Sequence, residues 1–376
     1  MGYRRILVSA VVLLLGLTLA ASPMVRAAAD TLPSKLSDEE LWKLSQDLSE
    51  PDGHFRSDNL LSNELWLQWV LSDLLVRTKP GGVYLGVGPE QNFTYIAALK
   101  PKMVFITDIR RGNLHTQLMY KALFEMSADR ADFIGRLFTK PRPDGLTARS
   151  SAREIMDAYW DVNTSMEPTY RANLQAILDH LTKKRKLPLP KADLDGIEWV
   201  YYNFWWWGPL ITYNSSTSAG SGRGGGANAT TYYDLMTATD AAGMSRSYLA
   251  SEETFKVLKD LHEKNLIVPA VGDFGGPKAL RAVGKYIRDH GSRVMAFYLS
   301  NVEQYLRQDG KWNLFCANVA SMPLDEHSTF IRSGQGYGGG GGGGRGLSNT
   351  LGSMLAETRG CAAPGTSFEL FARPGT

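Results

Sequence analysis

Apolar runs alternate with amphipathic segments along most of the chain. Val83-Tyr84-Leu85 leads into Gly86-Val87-Gly88, and Met103-Val104-Phe105-Ile106-Thr107 leads into Asp108. Continuous apolar runs closed by turn residues suit strands buried on both faces. Leu266 to Val271 and Val294 to Leu299 extend the set, and Ser328 to Arg332 and Ser367 to Ala372 are two late candidates. Between the runs the period becomes helical. Ser37 caps a helix expected to reach Leu48, with Asp38, Glu39 and Glu40 at its positive end. Asn63 to Val76, rich in Leu and Trp, is expected as a helix that packs on the sheet or covers a ligand. Leu114, Leu118, Ala122 and Met126, then Ile134 and Leu137, mark one stripe over Asn113 to Phe138. Ala152 to Lys184 holds one or two further helices. Ser251 caps another, and Leu280, Val283 and Ile287 line the next. Asn301-Val302-Glu303-Gln304 has the form of a capping box.

This alternation predicts an α/β fold with a doubly wound, mostly parallel sheet, closed by an antiparallel edge pair. A helical and aromatic insertion runs from about 140 to 230. Its densest part, Trp199 to Trp207, suits either a stacking platform or a buried cluster, the commoner use. Ser215 to Ala229 and the Gly-rich tract 334–346 read as loops. The seven glycines from Gly338 to Gly344 lack the Lys-Ser/Thr of a phosphate-binding loop.

Charged residues at 21% and apolar residues at 43% are ordinary for a globular chain. A net charge of +3 does not call for nucleic acid or an anionic membrane as partner. Residues 1–29 carry Arg4-Arg5, an apolar run from Ile6 to Ala21, and Ala27-Ala28-Ala29. That is the layout of a secretory signal, which makes 30–376 an exported domain, periplasmic or secreted. A retained N-terminal anchor is the alternative and the one route to a membrane. Cys316 and Cys361 can pair in an oxidising compartment or stand as two unrelated thiols. The histidines show no metal-ligand spacing, and no Gly-x-Ser-x-Gly elbow exists.

The candidate chemistry gathers at strand ends. Gly86 and Gly88 let the backbone approach a ligand, the following helix offers free N–H groups, and Asp108, 20 residues after Gly88, can accept from ribose hydroxyls. Gly86, Gly88, Asp108, Asp273 and Asn301 all fall at predicted carboxyl ends of strands, so they line one crevice in a doubly wound sheet. Each has a bland reading beside this one. The glycines serve tight packing, Asp108 pairs with Arg110 or Arg111, Asp273 makes a turn with Gly275, and Asn301 caps its helix.

The segments "YLGVGPEQNFTYIAALKPKMVFITDIRRGNLHTQLMYKALFEMSADRADF", "SYLASEETFKVLKDLHEKNLIVPAVGDFGGPKALRA", "AFYLSNVEQYL" and "STFIRS" carry a resemblance. The chain resembles class I, Rossmann-like S-adenosylmethionine-dependent methyltransferases. More narrowly, it is similar to an uncharacterised bacterial family of methyltransferase-like proteins. The resemblance implies a seven-stranded sheet and S-adenosylmethionine as cofactor. It implies cofactor contacts at Gly86, Gly88, Glu90, Asn92 and Asp108. It also implies a substrate-facing Asp273 after the fourth strand, able to act as a base toward an acceptor that the sequence does not identify. Tyr84 stands where such enzymes usually carry an acid, and Glu90 replaces the third glycine. An acid there either binds the cofactor's amino group or repels its carboxylate. A non-catalytic, exported binding protein on the same scaffold is the competing expectation.

Overall fold

The computed structural model describes residues 30–163, 166–215, 229–335 and 347–361. The signal segment, the Gly338–Gly344 run and the late strand expected at Ser367–Ala372 lie outside them, as does most of the Ser215–Ala229 loop.

The chain opens with α1 (Asp38–Leu48), a 3-10 turn and α2 (Leu71–Arg77). Then come β1 (Val83–Gly86), α3 (Gln91–Leu99), β2 (Met103–Asp108), α4 (Arg111–Met126) and α5 (Arg130–Phe138). The insertion supplies α6 (Ala152–Trp160), α7 (Glu167–Asp179), α8 (Lys191–Trp207) and α9 (Tyr232–Thr237). The second half runs α10 (Glu252–Glu263), β3 (Ile267–Val271), α11 (Ala279–Asp289), β4 (Val294–Ser300), α12 (Val302–Gln308), α13 (Trp312–Ala320), β5 (Thr329–Gln335), β6 (Leu347–Ser353) and α14 (Met354–Thr358).

The described strands form one sheet in the order β3-β2-β1-β4-β5-β6, parallel except for the antiparallel β5–β6 pair. Every residue of β1, β2 and β3 is buried, as helices on both faces require. Pro269 shows why β3 lies at an edge. It cannot donate to a ladder, so its strand pairs on one side only, with Ile106 opposite Pro269. From β1 the chain steps outward to β2 and β3, then returns to place β4 on the other side of β1. The order therefore reverses between β1 and β4, and in doubly wound sheets such a reversal is where ligands bind, at the carboxyl ends of the strands.

Several expectations are corrected. Six strands stand among the described residues; the late strand expected at 367–372 lies outside them. The partner of β5 is Leu347–Ser353, a segment too polar to read as a strand alone. The stripe from Asn113 to Phe138 is broken after Met126. Asp129 accepts from the Asp132 N–H and starts α5 afresh. Residues 63–64 have no regular structure and 65–66 are turn, where helix was expected. Asn301 precedes α12 without a side-chain cap bond, so the capping box is absent. The strand before Asp273 is third in sequence and outermost in the sheet, not fourth.

The aromatic run lies on α8 and divides by helix face: Tyr201 and Phe204 are buried, while Trp199, Tyr202 and Trp206 are exposed. Cys316 and Cys361 form a disulfide, with Cα atoms 5.6 Å apart, tying α13 to the residue region after α14. No helix among the described residues is long and apolar enough to cross a membrane.

Candidate functional site

The β1–α3 turn is built by its own side chains. Gly88 sits at φ 78°, where an L side chain is strained. The space a Gly86 Cβ would need holds the Asn92 amide instead. Asn92 Nδ2 donates to the Val87 carbonyl at 2.9 Å and the Pro89 carbonyl at 2.8 Å, and its Oδ1 accepts from Tyr84 Oη at 2.9 Å. Tyr84 thus supplies the donor that Asn92 Oδ1 takes. Gly86 is needed for this internal plug.

Glu90 begins α3 and is fully buried. Its Oε1 accepts from the Ser62 N–H at 3.1 Å, while Oε2 has no partner. Burial pushes the carboxyl up to about 8. The Ser62 N–H pulls the other way, and neighbouring Glu64 adds to the rise. Glu64 is also buried but fully engaged. Its Oε1 accepts from Tyr298 Oη at 2.5 Å and Ser300 Oγ at 2.6 Å, and its Oε2 from Asn349 Nδ2 at 2.8 Å. Ser300, at the end of β4, holds φ at 51°, an uncommon conformation for a non-glycine residue. Residues from the segment before β1 therefore reach over the β1–β4 switch point and clamp it through two carboxyl groups.

Asp108 ends β2 almost fully buried. Its Oδ1 accepts from the Arg110 N–H at 2.9 Å and faces Arg110 Nε at 3.5 Å. Both contacts fall on one oxygen, which leaves Oδ2 for a hydroxyl donor. Arg110 also donates to the Asp58 carbonyl. Arg111 pairs instead with Asp193 on α8, through two bonds of 2.6 and 2.7 Å, and His115 adds a third contact at 2.9 Å. Burial alone would raise Asp193, but these partners hold it at about 2. The paired arginines divide their work between the crevice and the insertion.

On α4, Asn113, Gln117 and Tyr120 share the face that meets this turn. Gln117 Nε2 donates to the Gly88 carbonyl at 3.1 Å. Both amide atoms of Asn113, Gln117 Oε1, Tyr120 Oη and Gln91 Oε1 are buried without partners. Buried polar atoms normally have partners, so such a cluster at a strand-order reversal calls for an explanation. Sequence reading missed Glu64, Asn113, Gln117 and Tyr120. The signals were there: one acid within the apolar run Leu60 to Leu71, and polar residues at helical spacing beside a buried stripe.

Asp273 follows β3, two residues beyond Val271, the register partner of Asp108. Its Oδ1 accepts from the Gly275 N–H at 2.8 Å and its Oδ2 from Lys311 Nζ at 2.5 Å, two strands away from β1. It forms a turn and an ion pair at the end of the strand beside Asp108. Among the described residues, no group of three or more His, Cys, Asp or Glu side chains is placed to hold a metal.

A family model described as "Domain of unknown function (DUF7790)" matches residues 60–189 and 212–339. Glu64, Glu90, Asp108, Asn113, Gln117 and Ser300 all fall inside these ranges. No curated protein matches the chain.

Proposed function

We propose, starting from a chain that belongs to the DUF7790 family, that it is a methyltransferase-like protein that binds a small nucleoside-bearing molecule at the β1–β4 switch point. S-adenosylmethionine is the first candidate. The observation that carries the reading is the coincidence of three features at one place. These are the reversal of strand order, a β2 acid with one carboxylate oxygen uncommitted, and a cluster of buried polar atoms without partners. The fit to S-adenosylmethionine is uneven. Asp108 suits ribose hydroxyls, and Asn113 and Gln117 supply further polar contacts. The glycine turn does not suit a methionine tail laid against Gly86, because Asn92 fills that space. We therefore derive no methyl-transfer step and give Asp273 a structural role.

Calorimetric titration with S-adenosylmethionine and S-adenosylhomocysteine tests the reading. Micromolar binding is expected, weakened about tenfold or more in Asp108→Ala, the loss of a charged hydrogen bond to ligand. No binding by the folded chain would end this reading.

The plugged turn and the Asp273–Lys311 pair favour a second one, a non-catalytic binding protein on the same scaffold. An exported domain also has no evident supply of S-adenosylmethionine, and the Cys316–Cys361 bond suits an oxidising compartment. A periplasmic reporter fused after residue 30 is expected to be active. An inactive fusion would place the domain inside the cell.

A further inference from the structure

The unpartnered atoms around Glu90 are mostly acceptors. Gln91 Nε2 donates to the Val87 carbonyl at 3.4 Å and Gln117 Nε2 to the Gly88 carbonyl at 3.1 Å. Turning either amide over would set oxygen against a carbonyl, so the oxygens Gln91 Oε1 and Gln117 Oε1 are fixed as acceptors. Neither has a donor, and neither does Glu90 Oε2 or Asn113 Oδ1. All four side chains are at least 97% buried. Glu90 and Gln91 lie within one turn of the Gly88 bend, Gln117 reaches the Gly88 carbonyl, and Asn113 stands one helical turn from Gln117.

An anion would meet four unpartnered oxygens and only two unpartnered donors, Asn113 Nδ2 and Tyr120 Oη. An alkyl or hydroxyl group would leave most of the acceptors unsatisfied, at a cost for each. An ammonium group carries three donors and a positive charge, and suits a site of several acceptors with one ionisable carboxyl. From this arrangement we infer that the cluster of Glu90, Gln91, Asn113 and Gln117 takes the protonated amine of the bound molecule. The inference rests on the crevice reading above and names the ligand's chemical class. Glu90 then exchanges its own proton for the ligand's positive charge. The other titratable groups in its field are Glu64, Tyr120, Tyr232 and Tyr248, none of them cationic. The counter-charge for an ionised Glu90 must therefore come from the ligand.

The test uses two probes on the full chain at pH 7: S-adenosylhomocysteine, and the same molecule with hydrogen in place of its α-amino group. Titrations are run in two buffers of different ionisation enthalpy, which counts protons released on binding. The amine-bearing probe is expected to bind about ten- to a hundredfold more tightly. It should release roughly one proton, because Glu90 is protonated before binding and ionised after it. Glu90→Gln should abolish that release. The proton count on the unaltered chain stands even if the variant folds poorly. Equal binding of both probes would overturn the inference and leave the crevice reading intact. Preference for the amine without proton release would place the amine away from Glu90 and overturn it too. Binding of neither probe would overturn both readings together.

Discussion

Replacing Glu90 with Gln is expected to remove a slope of stability with pH that the parent chain carries between about pH 4.5 and pH 8. The carboxyl titrates near 4.5 when exposed and near 8 when folded. The unfolded chain therefore loses this proton first, and folding above pH 4.5 takes one up. Stability associated with the group is fully present below pH 4.5. It falls as pH rises toward 8 and is level beyond it. Between pH 4.5 and 7 the loss is about 3 kcal/mol, from 1.36 kcal/mol per unit. Gln has the same shape and keeps an acceptor for the Ser62 N–H, but does not titrate. Its new N–H₂ group stands where Oε2 has no partner, and unless it turns to the unpartnered Gln91 or Gln117 oxygen it costs about 1–3 kcal/mol at every pH. The variant should thus be the less stable protein at pH 4.5 and draw level or overtake by pH 8. Urea midpoints of the two proteins across that range give the difference directly. Parallel profiles would mean that Glu90 is ionised in the folded chain.

Much of the fold was open to sequence reading because its causes are local. Buried parallel strands need unbroken apolar runs, and β1 to β4 have them. Pro269 even marks its strand as an edge. The strand β6 was hidden because nothing within Leu347-Ser348-Asn349-Thr350-Leu351-Gly352-Ser353 demands extended structure. Pairing with β5 supplies the cause, and a single sequence carries no sign of a partner. The site divides in the same way. Gly88 and Asp108 were legible from spacing along one βαβ unit. Glu64 was not, because its three donors come from residues 298, 300 and 349 and meet it only in three dimensions. Gly86 was legible as a glycine but misread in purpose. The sequence shows that a side chain is excluded there, and only the fold shows that Asn92 excludes it. Asp273 was placed at a strand's carboxyl end from its sequence, and the turn and ion pair that engage it appear only in the fold. Its strand lies at the sheet edge, and Lys311 occupies its carboxylate.

Glu64→Ala should destabilise the chain at every pH, and by more than the Glu90 substitution does at pH 4.5. Glu64 accepts from two hydroxyls and one amide, those of Tyr298, Ser300 and Asn349. Removing the carboxyl strands the buried Tyr298 hydroxyl and frees Ser300 from the bond that accompanies its left-handed conformation. Asn349 retains a contact with Tyr95 Oη at 3.2 Å and loses least. Two lost donor partners and the cavity left by the side chain together cost about 3–5 kcal/mol. The effect should also be local, because Glu64 is the link between the segment before β1 and the β4–β6 side of the crevice. Amide hydrogen exchange should quicken at Ser62 and Glu64 and along Asn349–Gly352 more than in β2 or β3. A loss below about 1 kcal/mol, the scale of one ordinary hydrogen bond, would show that these donors find other partners. A uniform rise in exchange across the whole sheet would show that Glu64 stabilises the domain generally rather than holding the crevice shut.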